Sequence, residues 1–396
     1  MNLNKRFIDS WRYLITAVVA LAVVGAAFLI GLNVGNGNIR FSSGGLNNGL
    51  PGTLNYSSVT QEYRALIDNY DGKLTQSQLL NGLKHGLAQA ANDPYTEYFT
   101  SAEAKSFNNE LNNSFGGIGA ELSQNSSGEI EVMSPLKGYP AAKAGLQAKD
   151  IIADINGNST ANMTVTQAVD AIRGKAGTEV KLTIARGNNV FNVSIERQNI
   201  TVPSVSYKIL SGNIGYISII TFANDTSGLI QQAAQSMVNH HVKGIILDLR
   251  DNPGGLVTSA VATASEWLKP GQEIMQERRG SQVVKTYRAT GGDILNGIPT
   301  VVLVNGGSAS ASEITAGALH DNHDAYIIGT KTFGKGVVQA LLNLSDGGEL
   351  KVTIAAWYRP DGQDINKIGI TPDQIVKYNG KSDNQLAAAE AYLNNH

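Results

Sequence analysis

The chain has 396 residues, enough for two or three domains that each bury a core of their own. Its 31 basic and 33 acidic residues leave a net charge of −2 with no basic cluster, which excludes a nucleic-acid groove and a polybasic membrane patch. Cysteine is absent, which removes disulfides, thiol catalysis and cysteine-ligated metal together.

Lys5, Arg6 and Arg12 precede an uncharged run over 14–32. A run of this length crosses a hydrocarbon core of about 30 Å as a helix. Asn33-Val34-Gly35-Asn36 offers no small-residue cleavage site, so the run reads as an uncleaved anchor rather than a signal peptide. Residues 1–33 are then a cytoplasmic stub and one transmembrane helix. The basic flank places the rest of the chain on the extracytoplasmic side of the cell membrane. Residues 34–56, rich in Gly, Asn and Ser, form a flexible tether.

Residues 57–113 carry helical periodicity. Tyr63, Leu66, Ile67 and Tyr70 recur at helical spacing, and Thr75 with Gln78 makes a capping box before a helix ending near Ala91. Thr100 with Glu103 makes another, opening a helix to about Leu111. These helices lack a core of their own and are expected to pack on a larger domain or on a second copy of the chain in a dimer.

Residues 114–198 read as short strands between glycine-rich turns, at 130–133, 151–155, 180–185 and 190–195, with one helix at 165–172. The segment Phe115-Gly116-Gly117-Ile118-Gly119-Ala120 can present consecutive backbone N–H groups, a nest that captures a carboxylate, although a plain β-turn has the same composition. Residues 199–380 alternate strand and helix, with strands at 214–220, 244–249, 299–304, 325–329, 337–344 and 349–357, the pattern of an α/β core. Residues 381–396 form a C-terminal helical tail.

Three segments of this core carry chemistry. In Val304-Asn305-Gly306-Gly307-Ser308-Ala309-Ser310-Ala311 an apolar strand ends in a Gly-rich turn, and a helix begins near Ala311. A serine there is exposed at the positive end of a helix, beside backbone N–H groups suited to an oxyanion; the ordinary alternative is an N-cap. In Thr332-Phe333-Gly334-Lys335-Gly336 a lysine stands between two glycines in apolar surroundings. Burial would let its neutral amine act as a base, whereas at the surface it would be an ordinary loop lysine. Gln339, four residues on, shares its face if the backbone is extended, so that its amide orients the amine. The strand before Asp248-Leu249-Arg250-Asp251-Asn252-Pro253-Gly254-Gly255 delivers a Pro-Gly-Gly turn with free N–H groups.

A histidine mechanism has no support. His320 lies ten residues past Ser310 on the same helix, roughly 15 Å away. No cluster has metal-ligand spacing and no GxxxxGK[ST] occurs, so neither metal nor nucleotide cofactor is expected.

Ala144-Gly145-Leu146-Gln147-Ala148-Lys149-Asp150-Ile151-Ile152 and Ile155-Asn156-Gly157, with the earlier glycine loop, resemble a PDZ domain. The resemblance implies that Gly117, Ile118 and Gly119 hold the C-terminal carboxylate of a peptide. Arg173, after the helix, touches the substrate or merely complements the helix end. The three core segments, in their order, resemble the carboxyl-terminal processing peptidases, or tail-specific serine proteases. So do Asp93-Pro94-Tyr95-Thr96-Glu97-Tyr98-Phe99, Gly215-Tyr216-Ile217-Ser218-Ile219 and Gly369-Ile370-Thr371-Pro372-Asp373. The likeness covers about residues 57–395. It implies a ClpP/crotonase-like α/β protease core with an inserted β-rich PDZ domain. Ser310 matches the family nucleophile, Lys335 its base and Gln339 its glutamine. The oxyanion donors become the N–H of Ala311 and that of Gly254 or Gly255. Substrates are implied to be flexible proteins or peptides with free C-termini. A catalytically inactive, membrane-tethered PDZ adaptor on the same scaffold is the alternative, against which the presence of Ser310, Lys335 and Gln339 counts. A carrier of lipophilic ligands on a related fold lacks any apolar-pocket signature.

Overall fold

A computed structural model describes residues 50–395 except Gly52. The chain divides into two compact units, residues 1–74 and 75–396. In the first, helix α1 (Ser57–Asn69) buries no residue, and Tyr63, Ile67 and, just beyond it, Tyr70 are exposed. The predicted anchor and most of the tether lie outside the described residues. Among the described residues no helix is long and apolar enough to cross a membrane.

The second unit opens with α2 (Gln76–Gln89), whose start is fixed by the predicted box. Thr75 N–H donates to Gln78 Oε1 at 2.8 Å, and Gln78 N–H returns a bond to Thr75 Oγ1 at 3.2 Å. Strand β1 (Glu97–Phe99) and helix α3 (Ser101–Leu111) follow, the latter capped by Thr100 and Glu103. Both helices are tied to the larger domain, through Lys84 with Asp346 and through Asn108 with Glu349.

Next come β2 (Ser114–Gly117), β3 (Ala120–Gln124), β4 (Ile130–Pro135), α4 (Pro140–Lys143), β5 (Ile151–Ile155), β6 (Asn158–Ser159), α5 (Val165–Ile172), β7 (Glu179–Arg186), β8 (Asn189–Glu196) and β9 (Gln198–Thr201). Strands β3-β4-β5-β7-β8 form an antiparallel sheet with β6 added to β5. Alternate residues such as Val180, Leu182 and Ile184 bury one face against Ala168 and Ile172 of α5. The pair β2–β9 joins the entry and exit of this module, Ser114 lying opposite Thr201.

The rest comprises β10 (Val205–Leu210), β11 (Ile214–Ile219), α6 (Thr226–Asn239), β12 (Gly244–Asp248), α7 (Val257–Ser265), β13 (Glu273–Arg279), β14 (Gln282–Arg288), β15 (Thr300–Val304), α8 (Ala311–Asp321), β16 (Tyr326–Gly329), β17 (Val337–Asn343), β18 (Glu349–Tyr358), β19 (Gln374–Ile375) and α9 (Asn384–Asn395). One sheet runs β10-β11-β12-β15-β16-β19, parallel except for the β10–β11 pair. Its central strands β12 and β15 are wholly buried. Ile245 and Leu247 face the cluster that contains Ile230, Ala260 and Ile314, from α6, α7 and α8, and Ile246 faces the cluster of Ala389 and Leu393 on α9. Helices on both faces explain why these strands are continuous apolar runs. A second sheet runs β1-β18-β13-β14, with β17 on β18.

This topology positions the site. Because β12, β15 and β16 are parallel neighbours, the loops that leave their carboxyl ends lie side by side. Those loops carry Gly254-Gly255, Ser310 and Lys335.

Candidate active site

Ser310 stands at the start of α8 with φ 52° and ψ −113°. A non-glycine residue rarely adopts this backbone, and such strain persists only where surrounding contacts impose it. Here they do. Ser310 N–H donates to Glu313 Oε2 at 2.9 Å, Ala309 N–H to Asn252 O at 3.0 Å, and Ser312 Oγ to Asn252 O at 2.9 Å. Ser308 Oγ donates to Leu249 O at 2.7 Å. The Ser310 turn is thus pinned to the turn after β12.

That turn is held in its own right. Arg250 forks onto Asp248 and Asp383, and Tyr216 donates its hydroxyl to Asp248 Oδ2 at 2.8 Å. Burial, reinforced by Asp248, pushes the Tyr216 phenol up to about 12. Gly254 has φ +101°, and a side chain there would bring its Cβ to 2.8 Å from Ser310 Cβ and 2.9 Å from Ala311 N. The two glycines differ in what their amides do. Gly254 N–H donates to Asn252 Oδ1 at 2.9 Å, whereas the N–H groups of Gly255 and Ala311 have no hydrogen-bond partner among the described residues.

Lys335 lies in the loop before β17, and its amine is half-buried. Burial, aided by the charge of Lys351, pushes the amine below the ordinary lysine range, while Asp93 pulls the other way. The loop is pinned by Phe333 N–H to Ser308 O at 3.0 Å and by Trp357 Nε1–H to Lys335 O at 2.9 Å. Its strongest tie is Glu313. This wholly buried carboxylate accepts from Thr332 Oγ1 at 2.5 Å and Gly334 N at 2.7 Å on one oxygen, and from Lys335 N and Ser310 N, each at 2.9 Å, on the other. One side chain therefore fastens the Ser310 turn to the Lys335 loop. Sequence reading passed over Glu313. Its position three residues after Ser310 is the capping-box spacing, and that signal marks the residue without revealing its second partner loop.

Gln339 departs from expectation in its geometry. The alternation that would align it with Lys335 needs continuous strand, but β17 begins at Val337 and its pairing with β18 is irregular between Val338 and Gln339. Ser310 Oγ, Lys335 Nζ and Gln339 make no hydrogen bonds to one another, and Gln339 Nε2 is buried without a partner. His320 is engaged elsewhere, its two ring nitrogens facing Asp321 at 3.1 Å and Asp373 at 3.0 Å.

In the β-rich module a cavity of about 190 Å³ opens between β3 and α5, lined by Gly117, Ile118, Gly119, Leu122, Val169, Ile172 and Arg173. The carbonyls of Ile118 and Gly119 are held by Ala141 N–H at 2.7 Å and Leu136 N–H at 2.8 Å, and the N–H groups of the same two residues have no partner among the described residues. Ile118 contributes backbone only, since its side chain is buried in the module's core. Arg173 caps the end of α5 and stacks its guanidinium 4.2 Å over the Phe115 ring, at the cavity wall. Among the described residues no group of three or more His, Cys, Asp or Glu could hold a metal ion.

Comparison with known proteins accords with this geometry. Peptidase family S41 matches residues 213–376, and the PDZ domain matches residues 110–185. The chain is 39% identical over 366 residues to the carboxy-terminal processing protease CtpA of Bacillus subtilis (strain 168), covering 91% of this chain and 75% of that one. It is 38% identical over 382 residues to a protein of Staphylococcus aureus (strain MRSA252) described as "Probable CtpA-like serine protease", covering 95% and 74%. Among solved structures it resembles the photosystem II D1 C-terminal processing protease, with a TM-score of 0.50, 29% identity, and coverage of 81% of this chain and 87% of that one. These relatives do not favour an inactive adaptor. The chain belongs to peptidase family S41 and is a serine protease of the carboxy-terminal processing kind that carries a PDZ domain.

Proposed function

We propose that Ser310 is the nucleophile and Lys335 the general base of this protease. The observation that carries the reading is the buried Glu313 carboxylate, which ties a strained serine at a helix start to a loop bearing a half-buried amine. The neutral amine of Lys335 takes the Ser310 Oγ proton as Oγ bonds to the peptide carbonyl carbon, and the carbonyl π pair moves onto oxygen. The N–H groups of Ala311 and Gly255 receive that oxyanion; the Gly254 amide is already committed to Asn252. Lys335 then gives its proton to the departing amine and serves again as base for the water that frees the acyl group. The unpartnered Gln339 amide is available to orient the amine once substrate is present.

The PDZ loop captures the free carboxylate of a flexible protein tail through the N–H groups of Ile118 and Gly119, with Arg173 at the cavity wall. Residues 1–33 anchor the chain in the cell membrane, with the protease on the extracytoplasmic side. The exposed apolar residues Tyr63 and Ile67 of α1, and Leu83 and Leu87 of α2, support pairing with a second copy.

Digestion of an unstructured, C-terminally tagged protein, read by mass spectrometry, tests the central claim. Ser310→Ala and Lys335→Arg are expected to be inactive while folding normally, because arginine keeps its proton. Wild-type turnover should fall as pH drops and the amine protonates. Substantial turnover in either variant refutes the dyad. Amidating the substrate C-terminus should weaken its binding about tenfold or more, the worth of one or two charge-assisted hydrogen bonds. Equal binding of acid and amide would remove carboxylate capture from the reading.

A further inference from the structure

The turn 93–96 belongs neither to the nucleophile site nor to the PDZ groove, yet it is built against the Lys335 amine. Asp93 folds it: Tyr95 N–H donates to Asp93 Oδ1 at 3.2 Å and Thr96 Oγ1 donates to Asp93 Oδ2 at 2.6 Å. Thr353 N–H, on β18, docks it by donating to Thr96 Oγ1 at 3.2 Å. The Lys335 amine then lies 5.0 Å from the centre of the Tyr95 ring, within the range of a cation–π contact. Thr353 is the cross-strand partner of Gln339, its side chain faces the Asp93 carboxylate, and the Gln339 amide nitrogen is buried without a partner.

We propose that Tyr95 and Asp93 are positioning residues of the protease that receive and stabilise the ammonium formed when Lys335 takes the Ser310 proton. The inference rests on the Ser310–Lys335 reading. When the Oγ–H bond breaks and the Nζ–H bond forms, a positive charge appears on a half-buried amine. The π face of Tyr95 and the carboxylate of Asp93 meet that charge, and they hold the amine in one place before it arises.

The groups that face the amine are few. Asp93 and Tyr95 come from this turn, and Lys351 comes from β18 with Glu97 paired to it at 3.0 Å; Glu313 of α8 meets the Lys335 backbone N–H and is committed to it, to two further backbone N–H groups and to the Thr332 hydroxyl. Burial and Lys351 disfavour the ammonium, and Asp93 favours it. Burial alone would raise the Asp93 carboxyl, but the hydrogen bonds it accepts and the Lys335 charge hold it below its usual range, so it faces the amine as a carboxylate.

The test is the pH–rate profile of the full-length enzyme in detergent, on a tagged unstructured protein, for wild type, Tyr95→Phe, Tyr95→Leu, Asp93→Asn and Lys335→Ala. Removing a group that stabilises the ammonium lowers the amine pKa. The acid limb of Tyr95→Leu and of Asp93→Asn should therefore move to lower pH by roughly half a unit to one unit, while plateau kcat falls roughly three- to tenfold. Tyr95→Phe keeps the ring and should match wild type. Should Tyr95→Leu fail to fold, as judged by its melting curve, Asp93→Asn carries the same test. A uniform loss with the limb unmoved would make the turn structural and overturn the proposal. A rise in plateau kcat in Tyr95→Leu would also overturn it, since Tyr95 would then restrain the amine. Wild-type turnover in Lys335→Ala would instead sink the dyad itself. An inactive Lys335→Ala with an unmoved Tyr95→Leu limb sinks only this inference.

Discussion

Two glycine-rich turns of this chain face space where a ligand can sit, and they are finished differently. The turn at Gly254-Gly255 is enclosed by protein on nearly every side, with Asn252, Asp248 and the Ser310 loop fixing it while the Gly255 N–H stays without a partner among the described residues. The loop at Gly117-Ile118-Gly119 is held only from behind, through its carbonyls, and its front amides are bare. The contrast suits what each turn is proposed to meet. A donor that greets a charge developing for an instant must be fixed beforehand, because reorganising it during the reaction would raise the barrier. A loop that binds a stable carboxylate needs only donors left unspent, and the ligand completes it.

Breaking the enclosed turn should have the largest effect. Glu313→Gln replaces one acceptor oxygen by an NH₂ that confronts N–H donors. Each charge-assisted bond is worth about 1.5–3 kcal/mol, so kcat is expected to fall about a hundredfold or more. KM should change little if the peptide binds chiefly elsewhere. Steady-state kinetics with a melting curve checks this, and unchanged kcat would mean that Glu313 does not hold the two loops in register. Gly254→Ala should come next. Its Cβ would press on Ala309 O at 2.7 Å and on Ser310 at 2.8 Å, and φ +101° strains any side chain there. A loss of about tenfold in kcat together with a lowered Tm is expected.

The open loop sharpens the comparison from the other side, because its glycines are not equivalent. Gly119 has φ +72°, and a Cβ there would collide with Tyr139. Gly117 has ordinary backbone, and its Cβ would meet Phe115 at 3.4 Å, an ordinary contact. Gly119→Val should therefore abolish the preference for a free C-terminus over an amide, whereas Gly117→Ala should keep most of it, with kcat on a short internal peptide unchanged in both. Calorimetric titration with acid and amide peptides separates them. Equal damage from the two would mean that the loop acts by shape rather than by its free amides.

How much of this was legible in the sequence varied with the physics involved. The segments 151–155 and 165–172 coincide with β5 and α5, and the buried strands β12 and β15 lie within a residue or so of expectation, because apolar runs and capping boxes are local signals. The hairpin of β13 and β14 was not anticipated. Its residues Gln276, Glu277, Arg278, Arg279 and Lys285 carry no apolar strand pattern, and the pairing of β13 with β14 and with β18 is what makes them strand. Ser310, Lys335 and the glycine pair stood out by residue type and setting, and the parallel order of β12, β15 and β16 brings their loops together. Glu313 and Tyr95 did not stand out, because their partners come from loops distant in sequence. The period-two argument for Gln339 presumes a continuous strand, whereas the pairing between Val338 and Gln339 is irregular, a feature that no local pattern announces.

The smallest effect tests enclosure itself, by comparing Glu313 with a second buried acid of the same core. Glu266 ends α7 with one carboxylate oxygen unpartnered, and burial pushes its carboxyl up to about 7. Glu313, more fully buried still, accepts four hydrogen bonds. For Glu266 the folded-state pKa lies above the unfolded value of about 4.3. The folded protein therefore holds a proton that the unfolded chain releases, and folding is disfavoured progressively as pH rises from about 4.3 through 7. Below that window the acid is neutral in both states and has no such effect. Glu266→Gln removes the ionisation. It should raise Tm at pH 8 by a few degrees, on the order expected for one buried group in a domain of this size, and change it little at pH 4.5. Melting curves of the two proteins at both pH values decide the matter. A gain that is the same at both would mean that packing rather than charge is responsible, and that an unpartnered carboxylate is tolerated in this core as readily as the fully bonded one that fastens the active site.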